Sequence, residues 1–213
     1  MSDESAGASA HDAAAPRTVE GGTDDMLRDE PLVPEIVQSD VAFAGRVWDV
    51  RSDTFLYNGE RIVRQYVSHT GAVAILALDD DGRMLVIQQY RHPIRSRDWE
   101  IPAGLLDVPG EEHLAAARRE LAEEADLEAD RWEPLVSVHP TPGGNDEIVH
   151  VFLARGLRPA GEAHARVDEE ADIRVEWVPV AEVVSAVLAG RMRNGILAVA
   201  ALATAELLRR TGS

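Results

Sequence analysis

Three glutamates, Glu120, Glu123 and Glu124, stand in the run RRELAEE at positions i, i+3 and i+4. In a helix that spacing puts the three carboxylates on one face, where like charges repel. A cluster that costs stability calls for a compensating charge, and grouped carboxylates are what hard cations such as Mg²⁺ take as ligands. The bland alternative is a solvated acidic helix face. Two more acidic candidates lie downstream. Glu147 closes the turn TPGGNDE, residues 141–147, and Glu169 and Glu170 sit in the acidic loop 161–172. A carboxylate delivered beside a cation can act as general base on water. Residues 142–146 also read simply as a hairpin turn. Arg91, in QYRHP, can clamp a phosphate bidentately or form a surface salt bridge.

Composition narrows what that chemistry can be. The 213 residues, 45% of them apolar, suit one domain with a sizeable core, with or without a tail. The formal net charge of −17 argues against a nonspecific nucleic-acid binder, and it makes an anionic substrate depend on bound cations. There is no cysteine, hence no disulfide, thiolate metal site or cysteine nucleophile. There is no lysine either; all 21 basic residues are arginine, which removes a Walker-type lysine and a Schiff base. The histidines show no metal spacing, and His92, His139 and His150 read as structural or surface residues. No run reaches the ~18 apolar residues of a membrane span. The N-terminus lacks the basic and apolar regions of a secretory signal, so a cytoplasmic location is expected.

The elements that would position these groups follow from patterning. Residues 1–39, rich in Ala, Ser, Gly, Asp and Glu, predict a mostly disordered acidic tail, with 31–37 apolar enough to dock. Residues 40–213 form the domain. Strands are predicted over 41–51 and 61–68 with Asn58-Gly59 as a turn, giving an N-terminal segment 40–68 ahead of a core 69–213. GAVAILAL, 71–78, predicts a fully buried strand, with 83–90 as its paired strand. Residues 91–110 read as a long loop. A helix over 111–125 carries an apolar stripe of Leu114, Ala117 and Leu121. Strands near 131–138, 147–154 and 173–178 and helices near 180–189 and 194–210 complete a mixed α/β layered domain.

The stretch GLLDVPGEEHLAAARRELAEEADL, Gly104 to Leu127, resembles the Nudix box, G-x5-E-x7-R-E-U-x-E-E-x-G-U, with U a bulky aliphatic residue. Glu111, Arg119, Glu120, Leu121, Glu123, Glu124 and Leu127 fall in phase. Six residues instead of five separate Gly104 from Glu111, and Asp126 stands where the pattern has Gly. The insertion lies in the loop before the helix, and Asp tolerates the left-handed turn better than most residues. Neither departure removes a carboxylate.

The resemblance implies an α/β fold, the Nudix α/β/α sandwich with a mixed sheet, plus an N-terminal antiparallel sheet. It implies Glu120 and Glu124 as the main Mg²⁺ ligands, with Mn²⁺ a possible substitute. Glu123 is a further ligand or a bridge through water, and the Ala103 carbonyl an additional ligand. Glu111 and Arg119 are implied as an ion pair that locks loop to helix around Gly104. Pro142, fifteen residues past Leu127 in a Gly-rich turn ending in Glu, resembles the ADP-ribose pyrophosphatase branch. That branch implies Glu147 as the general base, with Glu169 or Glu170 as rivals. It also implies substrate contacts from Arg91, from Trp99 and Glu100 in WEIPAG, and from Arg64, although Gln65 replaces the acidic partner expected beside Arg64. Trp48, Phe55 and Tyr57 are other candidates to stack on a base. The substrate implied is a nucleoside diphosphate sugar, led by ADP-ribose, and the assembly implied is a homodimer. The alternatives are another nucleotide substrate (GDP-mannose, a dinucleoside polyphosphate or a damaged nucleotide) and a non-catalytic ligand sensor.

Overall fold

A computed structural model describes residues 27–161 and 172–212. The order is β1 (Ile36–Phe43), β2 (Asp49–Tyr57), β3 (Glu60–Ser68), β4 (Ala72–Ala77), β5 (Arg83–Arg91), a 3₁₀ turn (His92–Ile94), β6 (Ser96–Glu100), β7 (Ala103–Leu105), α1 (His113–Ala125), β8 (Leu127–Val138), β9 (Val149–Pro159), β10 (Arg174–Pro179), α2 (Val180–Leu188) and α3 (Gly195–Thr211). The strands form three sheets: β1-β2-β3, β10-β5-β6 and β7-β4-β9-β8. The third is mixed, because β4 runs parallel to β9 and antiparallel to β7.

β4 explains the layering. Its alternate residues Val73, Ile75 and Ala77 pack with Ala116, Ala117 and Leu121 of α1. Ala72, Ala74 and Leu76 pack on the other side with Val180 and Val183 of α2 and Leu197, Ala200 and Ala201 of α3. Successive side chains of a strand point to opposite faces, so a strand between two helical layers must be apolar throughout. This is the α/β/α sandwich. Leu121 is fully buried, and truncating such a residue to Ala costs about 2–5 kcal/mol. At the start of α3, Asn194 Oδ1 accepts the Leu197 N–H at 3.0 Å, a cap that contributes about 1 kcal/mol. None of the described helices is long and apolar enough to cross a membrane.

Several expectations need correction. β1 begins at Ile36, so residues 36–39, assigned to the tail, are paired in a sheet; residues 1–26 lie outside those described. The single strand expected over 41–51 is two strands, broken by a turn in which the Gly45 N–H donates to Asp49 Oδ1 at 3.2 Å. Asn58 and Gly59, at φ 51° and 81°, make the two-residue turn joining β2 and β3. β5 is not the ladder partner of β4. Only Leu78 and Met84 bridge them before they diverge into different sheets. The loop expected over 91–110 contains β6 and β7. α1 starts at His113, two residues late, and its buried face is Ala116, Ala117, Leu121 and Glu124, with Leu114 only half-buried.

Candidate active site

The glutamates of α1 meet the short edge strand β7. Ala103 donates its N–H to Glu124 Oε2 at 2.9 Å, and Glu124 is buried. Gly104 lies against Glu120: a Cβ there would come within 1.9 Å of its carboxyl carbon. Only glycine leaves this space. The C-cap of α1, Asp126 at φ 54°, takes the left-handed turn, so the chain enters β8 directly at Leu127.

Arg119 joins the cluster. Its Nε and Nη2 donate to the two Glu111 oxygens at 3.2 and 3.0 Å, and its Nη1 to Glu120 Oε1 at 2.5 Å and Glu123 Oε2 at 3.2 Å. The Glu111 bond, with Glu120 beside it, holds the guanidinium above its ordinary value despite burial. The same bond holds the Glu111 carboxyl below its own. One cation thus faces three carboxylates. Among the described residues no three acidic or histidine side chains are arranged to hold a metal ion. Arg119 takes Glu120 Oε1 and Glu123 Oε2, one oxygen of each carboxylate. The donor set suits a hard divalent ion nonetheless: carboxylates on one helix face, and beside Glu120 a cradle that a Cβ would fill.

Ala103 and Gly104 also line a cavity of about 1150 Å³. Glu147 lines it from the loop that leads into β9, with its side chain 18% exposed. Asn145 holds Glu147 in two ways: its Nδ2 donates to Glu147 Oε2 at 3.4 Å, and its Oδ1 accepts the Glu147 N–H at 3.3 Å. Glu100 and Arg91 line the cavity as a bidentate pair, at 2.8 and 2.6 Å. Trp48, Asp98 and Arg193 complete its rim.

Other residues singled out by sequence lie elsewhere. Trp99 packs into the core beside α3's cluster and does not line the cavity. Arg64 is exposed on β3, where its Nη1 donates to the Val63 carbonyl at 2.9 Å, away from the cavity lining. Phe55 and Tyr57 are likewise absent from that lining. Glu169 and Glu170 lie outside the described residues. Two residues the sequence reading passed over, His69 and Asn145, contact Glu147. Nothing in their spacing marked them.

Comparison with known proteins converges on one family. The NUDIX domain pattern matches residues 68–198, more than half of the chain. The chain is 44% identical over 176 residues to the ADP-ribose pyrophosphatase of Mycobacterium tuberculosis (strain ATCC 25618 / H37Rv), covering 80% of this chain and 84% of that protein. It is 39% identical over 153 residues to the ADP-ribose pyrophosphatase of Bacillus subtilis (strain 168), covering 71% and 79%. A crystal structure of an ADP compounds hydrolase has the same fold, with a TM-score of 0.71 at 23% identity over 87% of this chain and 99% of that one.

Proposed function

The chain belongs to the Nudix family, and on that premise we propose that it hydrolyses the pyrophosphate bond of ADP-ribose, or a closely related nucleoside diphosphate sugar, to AMP and a sugar phosphate. The observation that carries the reading is the cavity itself. Glu147 lines it together with Ala103 and Gly104, the residues that touch Glu124 and Glu120. Ala103 and Gly104 thus join the space that Glu147 lines to the glutamate helix behind β7.

In this reading Glu120, Glu124 and the Ala103 carbonyl would hold Mg²⁺, or Mn²⁺ in its place, and Glu123 would serve as a further ligand or a bridge through water. When bound the ion neutralises the diphosphate and makes a water more acidic. Glu147 accepts the proton of the attacking water as the water oxygen bonds to phosphorus. The anhydride P–O bond breaks, and its electron pair leaves with the departing phosphate. Arg119 and Glu111 hold the loop before α1 against the helix. Arg91, kept in place by Glu100, faces the substrate cavity with a guanidinium suited to phosphate.

A homodimer is part of the proposal. Every residue of β1 is exposed, including Ile36, Val41 and Phe43, and Val63 on β3 is 54% exposed. Apolar groups grouped on a small sheet favour a partner surface, and sedimentation of the full chain at micromolar concentration tests for a mass of two chains.

The deciding experiment incubates the full-length protein with ADP-ribose and Mg²⁺, with phosphatase-coupled phosphate detection and product chromatography. AMP and a sugar phosphate in equal amounts support the proposal. Stable ADP-ribose, with turnover of GDP-mannose or a dinucleoside polyphosphate instead, overturns the substrate assignment. Binding without turnover of any of these supports the sensor.

A further inference from the structure

The loop that carries Glu147 is fastened along the end of β3. The Val67 N–H donates to the Gly144 carbonyl at 2.9 Å, the Asp146 N–H to the Val67 carbonyl at 3.4 Å, and the His69 N–H to Asp146 Oδ1 at 2.7 Å. These bonds set the height of the loop above the cavity. They do not set the direction of the Glu147 carboxylate, which turns about its own side-chain torsions.

His69 bears on that direction. Its side chain is 7% exposed, and its Nδ1 accepts the Gly71 N–H at 3.0 Å. A backbone N–H can only donate, so the neutral ring carries its proton on Nε2. His69 Nε2 lies 3.7 Å from Glu147 Oε1, while Asn145 holds Oε2. A movement of about 0.5 Å closes the gap to hydrogen-bond length. The ring is itself held: the Trp48 indole stacks on it, with centroids 5.0 Å apart and planes at 26°. Trp48 and His69 both line the cavity.

We propose that His69 is a positioning residue for Glu147. Its Nε2–H steers one carboxylate oxygen while Asn145 steers the other, and the Trp48 stack and the Gly71 N–H fix the ring that does the steering. The inference rests on Glu147 being the base. It gives the N-terminal sheet a share in catalysis, because Trp48 stands at the entry to β2 and His69 at the exit of β3. A carboxylate held by two donors at opposite oxygens presents its remaining lone pairs in one direction, which general-base catalysis needs more than substrate binding does.

The test uses four single variants and one double variant of the full-length protein, assayed with ADP-ribose and Mg²⁺. His69→Phe keeps a flat ring for Trp48 and removes the donor. His69→Asn keeps an acceptor for Gly71 but is too short to reach Glu147. His69→Gln places an amide N–H close to where the imidazole Nε2–H stands. Glu147→Gln removes the base. Expected are falls in kcat of roughly 10- to 100-fold for His69→Phe and His69→Asn with KM within about threefold, recovery by His69→Gln to within about fivefold of wild type, and a fall of about 10² or more for Glu147→Gln. The double variant His69→Asn/Glu147→Gln should be no slower than Glu147→Gln alone, because a positioning residue has nothing left to position. If Glu147→Gln collapses while both His69→Phe and His69→Asn stay near wild type, the His69 inference fails and the base assignment stands. If the two losses multiply in the double variant, His69 acts by another route and the inference also fails. If Glu147→Gln stays near wild type, the base assignment fails and takes the inference with it. Having two loss variants keeps the result readable if one of them does not fold.

Discussion

Gly104→Ala isolates the geometry of the glutamate helix with a single methyl group. A Cβ at position 104 would lie 1.9 Å from Glu120 Cδ, 2.0 Å from Oε1 and 2.5 Å from Oε2. Ordinary contact begins near 3.4 Å, so the carboxylate must withdraw by roughly 1.5 Å. It is the far end of a flexible side chain and can move, at a cost of about 0.5–1.5 kcal/mol for an unfavourable rotamer. The backbone does not oppose the change, because Gly104 is not among the positive-φ glycines. Replacing Gly by Ala also lowers the entropy of the unfolded chain, which stabilises by about 0.4–1 kcal/mol. The two stability terms nearly offset, so the variant should melt within a few degrees of wild type. Its activity should not survive as well, since an ångström of misplacement costs about 10²-fold in rate. The expected result is a fall in kcat/KM for ADP-ribose of about 10², with Mg²⁺ half-saturation raised, in a protein of unchanged circular dichroism. Wild-type kcat/KM and unchanged Mg²⁺ dependence in Gly104→Ala would refute the reasoning, because Glu120 would then not need its present place.

Two further outcomes test other parts of the site and fold. Glu124→Gln should lower kcat by on the order of a hundredfold, and EDTA should abolish activity in the wild type, both read by phosphate release; full activity in EDTA removes the metal reading. Hydrogen bonds from Arg209 and Arg210 hold the Glu206 carboxyl down at about 2, from a usual 4.5. A carboxylate depressed in the folded state stabilises fully above its unfolded value and loses that contribution as pH falls toward the folded one. Thermal melts of Glu206→Gln should therefore fall less steeply than wild type between pH 4.5 and about 2, and identical slopes would contradict the ion-pair account.

The box was legible because its parts are local. Gly104, Glu111, Arg119 and the three glutamates lie within one short strand, the loop after it and one helix, so their phase in the sequence is their geometry. β4 was legible for a related reason: burial on both faces writes an unbroken apolar run. Sheet membership was not legible, because the strands beside β4 are β7 and β9, and the latter is far along the chain. Trp99 failed through a missed strand. Ser96, Asp98 and Glu100 line the cavity, and Trp99 goes to the core. Alternate residues of a strand face opposite ways, so once β6 is recognised Trp99 and Glu100 cannot both face the substrate. His69 left no trace, because it meets the loop through a bond spanning 77 positions to Asp146.

This division between local and distant parts has a functional consequence. The glutamate cluster is built by α1 and β7. The cavity wall adds to β7 the β1–β2 turn, the end of β3, the end of β5 with the 3₁₀ turn, β6, the loop before β9 and the start of α3. Asp98 on β6 and Arg193 just before α3 belong to the wall and lie on elements other than α1 and β7. On the proposed reading, contacts from these two residues to the sugar or base are separable from hydrolysis of the anhydride. A change at Asp98 or Arg193 alters the fit of the groups flanking the diphosphate while the glutamate cluster keeps its shape. On this reasoning Arg193→Ala should raise KM for ADP-ribose several-fold, keep kcat within about threefold, and leave Mg²⁺ half-saturation where it was, because uniform binding is lost without loss of transition-state contacts. A collapse of kcat in Arg193→Ala at unchanged KM would show that the wall and the box act as one unit.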